Sequence, residues 1–251
     1  MANSPSGDSL TERIVRILET FSAERTVQTA AEIGRRAALP SSTAHRQVDA
    51  LVDAGLLERD DDSRVRLGMR LWELALRGSD ALRLRQAAMP FMERVQAAIR
   101  EHTQLAVLEQ DEALFLERLS SPDSGANITR IAGRLPLHAS SSGLVLLAFG
   151  SRDLQERVLA GTLTRRAPET ITDAAALRRT LADVRRQGYV IAPGSIEAVS
   201  TGVAVPVRDA SGAVVAALSV VLPRGTPTAA ALEELRAAAA GIRRALAADR
   251  R

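Results

Sequence analysis

The apolar residues of the first fifty positions recur at helical spacing and break at one tight turn. One face of the first predicted helix holds Leu10, Ile14, Ile17, Leu18 and Phe21. A second helix is predicted over 29–38, with Thr29 as its N-cap, and a third over 41–54, with Gly55 as its C-terminal stop. Only Ala38-Leu39-Pro40 separates these two helices, so they form a compact helix-turn-helix.

A short hairpin is predicted directly after the third helix. Residues 56–59 and 64–67 read as its strands, and the polar residues 60–63 read as its turn. Two helices joined by a tight turn also occur in bundles that never touch DNA. The added hairpin makes the order that of a winged helix-turn-helix, a fold that binds DNA.

Donor side chains crowd the start of the third helix and the hairpin. The candidate DNA-binding residues are Ser41, Ser42, Thr43, His45, Arg46, Arg59, Arg64 and Arg66. Arg46 is the candidate for a bidentate guanine contact, and Arg64 and Arg66 are candidates for phosphate contacts from one strand face. The alternative is that Ser41 or Ser42 only caps the helix and Arg46 is a solvated surface residue.

Charge and composition limit how this chain can bind nucleic acid. All 33 basic residues are arginine against 30 acidic ones, and residues 1–75 hold ten arginines and twelve carboxylates. DNA binding must therefore use a local basic patch. Aromatic residues make up only 2% of the chain, which argues against stacking on single strands. The absence of cysteine excludes disulfides and thiolate metal sites.

The remainder of the chain predicts an α+β domain with an antiparallel sheet. Residues 70–100 read as a helix broken near Gly78-Ser79, with a second helix starting near Met89 because Pro90 is tolerated in a first turn. Further helices are predicted over 141–149, 152–160, 173–186 and 228–247, and strands over 105–108, 114–116, 127–131, 202–207 and 214–221.

The chain resembles the IclR family of bacterial transcription regulators. The resemblance rests on Leu39-Pro40, Ser42-Thr43-Ala44-His45-Arg46 and Arg66-Leu67-Gly68, and further along on 134–143, 188–189, 203–207 and 216–220. It implies a winged helix-turn-helix domain (8–70), a linker helix (71–88) and a GAF-like effector-binding domain (89–251). Trp72 lies in this linker, where we expect it to pack between domains.

The resemblance also implies where an effector binds. The family's effector site falls on Ser141, Ser142, Gly143, Ala192, Ser200, Gly202, Ser219 and Val221. A helix N-terminus with serine hydroxyls suits a carboxylate, although each serine could also be a helix cap or a strand-surface residue. Ala192 and Val221 replace polar residues of the family, which favours an effector with an apolar body, such as an aromatic acid.

No enzyme is expected. The three histidines lack metal-ligand spacing, the serines around 141 lack the glycine of a nucleophile elbow, and His138 is expected to fix local structure by hydrogen bonding. We expect a ligand-responsive repressor without cofactor or metal, cytoplasmic because no signal sequence or membrane span is evident, that binds a palindromic operator as a homodimer. Pairing of dimers into a tetramer stays open, as does a helix-turn-helix that docks a protein instead of DNA.

Overall fold

The protein is divided into two compact units. The computed structural model describes residues 8–22, 24–122, 124 and 129–248 of the 251-residue chain. The division falls between Leu82 and Arg83, and each unit has a hydrophobic core of its own. It lies inside the predicted linker segment, and the domain limits at residues 70 and 88 stay a prediction.

The first unit is a winged helix-turn-helix. It contains helices α1 (Leu10–Glu19), α2 (Ala30–Arg36), α3 (Ser41–Asp53) and α4 (Met69–Leu76), and strands β1 (Gln28–Thr29), β2 (Leu57–Arg59) and β3 (Arg64–Leu67). The strands form an antiparallel sheet in the order β1-β3-β2. The predicted three helices and hairpin are confirmed. Strand β1 was not predicted, because two residues carry no alternation pattern.

Local signals explain why these helices start and meet where they do. The hydroxyls of Ser9 and Thr29 each accept a hydrogen bond from the backbone amide three residues further along the chain. The glutamate at that position accepts a hydrogen bond from the backbone amide of Ser9 or Thr29, so α1 and α2 both begin with a capping box. Helices α2 and α3 pack so closely at Gly34 that a Cβ atom on this residue would lie only 2.8 Å from Ala44 Cβ. The shared core contains Ile17, Ile33, Val48, Leu57 and Val65.

The second unit is built on one six-stranded antiparallel sheet. From residue 80 onward the helices are α5 (Asp80–Ile99), α6 (Ser141–Phe149), α7 (Arg152–Ala160), α8 (Ala174–Gln187) and α9 (Ala229–Ala248). The strands are β4 (His102–Glu109), β5 (Glu112–Leu119), β6 (Arg134–Pro136), β7 (Val190–Pro193), β8 (Ser200–Arg208) and β9 (Val214–Pro223). The strand order is β6-β5-β4-β9-β8-β7, which confirms the predicted α+β domain.

Both faces of this sheet are covered by helices. Along β8, Val203, Val205 and Val207 face one core, which α5 and α9 complete. Ala204, between them, faces the opposite core with α6 and α8. Successive side chains of a strand point to opposite faces, so this near-continuous apolar run is what a strand covered on both sides requires.

Helix α6 is enclosed on nearly every side. All residues from Ser141 to Ala148 are buried, which explains why its sequence is apolar around the whole helix. The helix can approach so closely because position 143 is glycine: a Cβ there would lie 2.7 Å from Leu137 Cα. Its N-terminus therefore opens inside the domain, beside strands β8 and β9.

Three sequence predictions need correction or completion. Helix α5 runs unbroken from Asp80, so a second helix starting near Met89 is wrong; the break near Gly78-Ser79 is confirmed. Pro90 costs α5 one backbone hydrogen bond, which burial of the helix in the core offsets. The strand predicted over 127–131 lies partly outside the described residues, and 129–131 are not strand. The edge strands β6 and β7 were not predicted.

Candidate functional site

Helix α3 presents its predicted contact residues to solvent. Ser41, Ser42, His45 and Arg46 are exposed and Thr43 is half-buried, whereas Ala44, Gln47, Val48 and Leu51 face the core. The residue that precedes the helix is Pro40, which offers no side-chain cap. The alternative that Ser41 or Ser42 merely caps α3 is therefore wrong, and the first-turn amides are open to an anion such as a phosphate.

Two exposed side chains of α3, His45 and Arg46, have polar atoms that are free to contact another molecule. The carbonyl of Ser41 accepts a hydrogen bond from Nδ1 of His45 at 2.9 Å. A carbonyl only accepts, so Nδ1 carries the hydrogen and Nε2 is left for a partner outside the helix. Within the described residues, the guanidinium of Arg46 has no ion-pair partner.

The arginines of the β2–β3 hairpin fall into two groups. Arg59 is paired with Asp49 of α3, and Arg66 donates from Nε to Glu58 at 3.0 Å. Arg64 is exposed and makes no ion pair in the part of the chain that is described. All three arginines are thus present at the surface, but Arg59 and Arg66 would have to break an ion pair with a carboxylate before they could bind a phosphate.

Helix α4 carries an exposed apolar face. Met69 and Trp72 are 62% and 61% exposed, and Leu76 follows one turn later on the same side. A face of this kind on a short helix is typical of a surface that is covered in the assembled protein. The predicted packing of Trp72 between domains stays a prediction.

A cavity opens at the N-terminus of α6. It encloses about 410 Å³ of space, a figure that includes its open mouth. The residues around it are Gln104, Phe115, Thr129, Leu135, Ala139, Ser140, Ser141, Ser142, Ala192, Ser195, Ile196, Glu197, Ser200, Gly202 and Val221. Six of the eight predicted effector residues are among them: Ser141, Ser142, Ala192, Ser200, Gly202 and Val221.

Gly143 and Ser219 do not line this cavity. The amide of Gly143 donates to the hydroxyl of Ser140, which caps α6, and position 143 serves the close packing of the helix. Ser219 is fully buried, and its hydroxyl accepts a bond from Ser142 at 2.9 Å. Both residues lie behind the cavity wall and form hydrogen bonds with serines that line it.

The inner end of the cavity gathers neutral hydrogen-bond donors. The hydroxyl of Ser140 accepts a hydrogen bond from the third backbone amide of α6, and the carbonyl oxygen of Ser140 accepts one from the fourth. The amides of Ser141 and Ser142 have no acceptor among the described residues. These two N–H groups at the positive end of a helix suit a carboxylate. Gly202 makes room here, since a Cβ there would lie 2.5 Å from Ser141 Oγ.

Gln104 adds a polar group that was not predicted. Its side chain is 3% exposed, its Oε1 accepts from Ser219 Oγ at 3.5 Å, and its Nε2 has no partner in the described structure. Leaving a buried donor unpaired costs about 1–3 kcal/mol, so such a group calls for an explanation. No local signal marks this residue, because its environment comes from β9 and α6.

The remaining wall is mostly apolar. Phe115, Leu135, Ala192 and Val221 supply it, and Glu197 is the one charged side chain among the described lining residues. Phe115, Thr129, Ser195 and Glu197 were not predicted either, since they lie in strands and loops without a motif. The cavity therefore offers donors at its buried end, apolar walls and a single carboxylate.

The other predictions about chemistry concern histidine, metals and membranes. Nε2 of His138 bonds the carbonyl oxygen of Thr164 at 3.0 Å, which confirms its expected structural role. Among the described residues there is no group of three or more His, Cys, Asp or Glu side chains that could hold a metal ion. None of the helices described here is both long and apolar enough to span a membrane.

Both units match known proteins. Residues 78–245 match the family described as "Bacterial transcriptional regulator IclR C-terminal", and residues 10–61 match the "IclR helix-turn-helix domain". The regulator XynR of Escherichia coli is 30% identical over 210 residues, covering 83% of each chain. The Pca regulon regulatory protein of Pseudomonas putida is 27% identical, covering 88% of this chain and 77% of its own.

A solved structure is more similar still. An IclR homolog from Microbacterium hydrocarbonoxydans, complexed with 4-hydroxybenzoate, is 61% identical, with a TM-score of 0.91 over 95% of this chain and 99% of its own. The named curated relatives are regulators of transcription and not enzymes. With both of its units matched, this chain belongs to the IclR family of transcriptional regulators, in which a helix-turn-helix DNA-binding domain is joined to a ligand-binding C-terminal domain.

Proposed function

We propose that this regulator is a homodimeric repressor whose affinity for a palindromic operator is set by a small aromatic carboxylic acid. The α6 cavity carries this proposal, because it combines free helix-terminal amides with apolar walls. The ligand of the 61% identical relative, 4-hydroxybenzoate, has the matching chemistry of a carboxylate on an apolar ring. Binding to operator DNA places its action in the cytoplasm.

On the DNA side, we assign base reading to Arg46 and phosphate contacts to the hairpin. Ser41, Ser42, Thr43 and His45 of α3 complete the proposed contact surface, and Arg59, Arg64 and Arg66 supply its positive charge. Two recognition helices of a dimer would enter successive major grooves about 34 Å apart. The exposed α4 face supports dimer formation, since a second copy would cover its Met69 and Trp72 side chains.

Titration calorimetry and gel shift together test this function. We expect 4-hydroxybenzoate to bind with micromolar affinity, about −8 kcal/mol, and to change operator affinity by about 5- to 150-fold. Operator affinity should fall steeply with salt, as phosphate neutralisation requires. A protein without operator binding at low salt would instead use its helix-turn-helix to dock another protein.

A filled-cavity variant links the two sites. Ala192→Leu places a larger side chain in the cavity wall and should weaken 4-hydroxybenzoate binding at least about 10-fold while operator binding without ligand stays unchanged. Ala210→Leu makes the same change on the exposed β8–β9 turn and should behave like the wild type. Equal ligand affinity in both variants would move the effector site away from this cavity.

A further inference from the structure

The side chain of Gln104 lines the α6 cavity next to a pair of hydrogen-bonded serines. It lies on β4 directly opposite Ser219 of β9, and both side chains point to the α6 side of the sheet. Ser142 Oγ donates to Ser219 Oγ at 2.9 Å, and Ser219 Oγ donates to Gln104 Oε1 at 3.5 Å. Because this relay engages Oε1, the other end of the amide, Nε2, is left for the cavity.

The unpaired Nε2 is the feature that points to a ligand. Gln104 is 97% buried and lines the cavity, yet Nε2 donates to no described atom. Water or protein partners normally satisfy buried donors, so an unpaired one inside this cavity points to an acceptor on a bound molecule.

The charge of the cavity wall sharpens this point. Among the described residues that line it there is no arginine, and the single charged side chain, Glu197, is negative. A carboxylate in this cavity must therefore be held by neutral donors. The amides of Ser141 and Ser142 supply two of them at the start of α6, and Nε2 of Gln104 adds a fully buried side-chain donor that has no partner among the described residues.

We propose that Gln104 is the specificity-determining residue of the effector site, where its Nε2 donates to the carboxylate of the bound aromatic acid. This inference rests on the proposed function of the cavity. The Ser142–Ser219 relay acts by orienting the amide, so that Gln104 presents its N–H group to the ligand and turns its carbonyl oxygen toward Ser219. The pocket then selects an anionic carboxylate over the neutral carboxamide of the same shape.

Two variants and two ligands test this role by calorimetry. Gln104→Glu replaces the N–H donor with a carboxylate oxygen of the same size, and it should raise the Kd of 4-hydroxybenzoate by at least about 100-fold. The same variant should bind 4-hydroxybenzamide more tightly than the wild type does, because the ligand amide can donate to the glutamate. Gln104→Met removes the donor without adding charge and should raise the 4-hydroxybenzoate Kd by about 10- to 100-fold.

Gln110→Glu is the matched control, since it makes the same charge change in the exposed β4–β5 turn and should bind both ligands as the wild type does. Operator binding without ligand checks that each variant is folded. If Gln104→Met keeps the wild-type Kd for 4-hydroxybenzoate, the role of Gln104 is refuted while the function of the cavity stands. If Gln104→Glu gains no preference for the amide, the assigned orientation is refuted. A wild type that binds neither ligand overturns the proposed effector class and this inference with it.

Discussion

At the scale of single residues, the arginines of the proposed DNA surface differ in what surrounds them. Arg59 and Arg66 already hold Asp49 and Glu58, so part of any gain from a phosphate contact is spent in breaking these pairs. Arg46 and Arg64 have no such partner in the described structure. We therefore expect these two to contribute most to DNA affinity.

Arg46 and Arg64 should fail in different ways when replaced. Arg46→Ala should cost about 1–3 kcal/mol on the operator and little on random DNA, because its proposed contact is to a base edge. Arg64→Ala should weaken binding to both DNAs alike and lower the salt dependence by about one ion. Gel shifts with both DNAs over a range of salt measure this, and equal losses for Arg46→Ala on the two DNAs would contradict base reading.

Glu197 opposes the ligand that we propose for the α6 cavity. Glu197 lines the same cavity, is half-buried, and its carboxylate has no ion-pair partner among the described residues. Glu197→Gln should therefore tighten the binding of benzoate, which has no hydroxyl to donate to it, by about 1 kcal/mol or 5-fold. The exposed Glu109→Gln serves as the control in the same titration. Weaker binding of benzoate to Glu197→Gln would mean that the carboxylate positions the pocket instead of repelling the ligand.

At the scale of elements, Glu58 connects the wing to the helix that follows it. Its two carboxylate oxygens accept from the amide of Met69, at the start of α4, and from Arg66 of β3. Helix α4 has no other side-chain cap, because Gly68 occupies the N-cap position. The carboxylate of Glu58 thus caps α4 and would compete with DNA phosphates for Arg66.

Removing the charge of Glu58 should release Arg66. We expect Glu58→Gln to bind random and operator DNA more tightly and to increase the salt dependence by about one ion, since one more guanidinium is free for a phosphate. Glu73→Gln, which removes a carboxylate that pairs with Arg77 at the C-terminal end of α4, is the control. Equal tightening in the two variants would show a general effect of net charge and no specific release of Arg66.

The same residue predicts a pH dependence of stability. Bonds from Met69 and Arg66 hold the pKa of Glu58 below the usual 4.5 of a glutamate. A lowered pKa in the folded state means that this interaction stabilises the first unit fully above 4.5 and is lost as the pH falls through the lowered value. Unfolding midpoints measured from pH 7 downward should fall less steeply on the acid side for Glu58→Gln. An identical profile for wild type and variant would contradict this role.

Sequence patterns predicted the elements that carry their own signals. Helix α3 was predicted to within one residue of its end, because its apolar spacing and the glycine that follows it are local signals, and the predicted limits of α6 match the observed ones. The edge strands β6 and β7 escaped prediction since three or four residues carry too little alternation. Gln104 escaped for another reason: its partner Ser219 lies 115 positions further along the chain, so its role exists only in the folded sheet.

At the scale of the whole molecule, the α4 face predicts self-association. Met69, Trp72 and Leu76 recur at helical spacing and are exposed together. Trp72→Glu places a charge in this face and should lower the mass measured by light scattering from two chains to one, with a matching loss of operator affinity. Arg77→Glu, which changes charge at the adjoining end of α4, should keep the wild-type mass. A single-chain mass for the wild type would refute the dimer.

The residues that line the α6 cavity are spread widely along the chain, and this offers a way to identify the natural effector. The residues around it run from Gln104 to Val221, so the cavity exists only while the second unit is folded, whereas the winged unit keeps a core of its own. A bound compound at 100 times its Kd adds about 2.7 kcal/mol to the stability of the second unit and none to that of the first. Melting curves of the purified protein against a metabolite library would thus separate true signals, which delay one transition alone, from compounds that disturb the whole protein. Such a screen needs neither an operator sequence nor a known target gene.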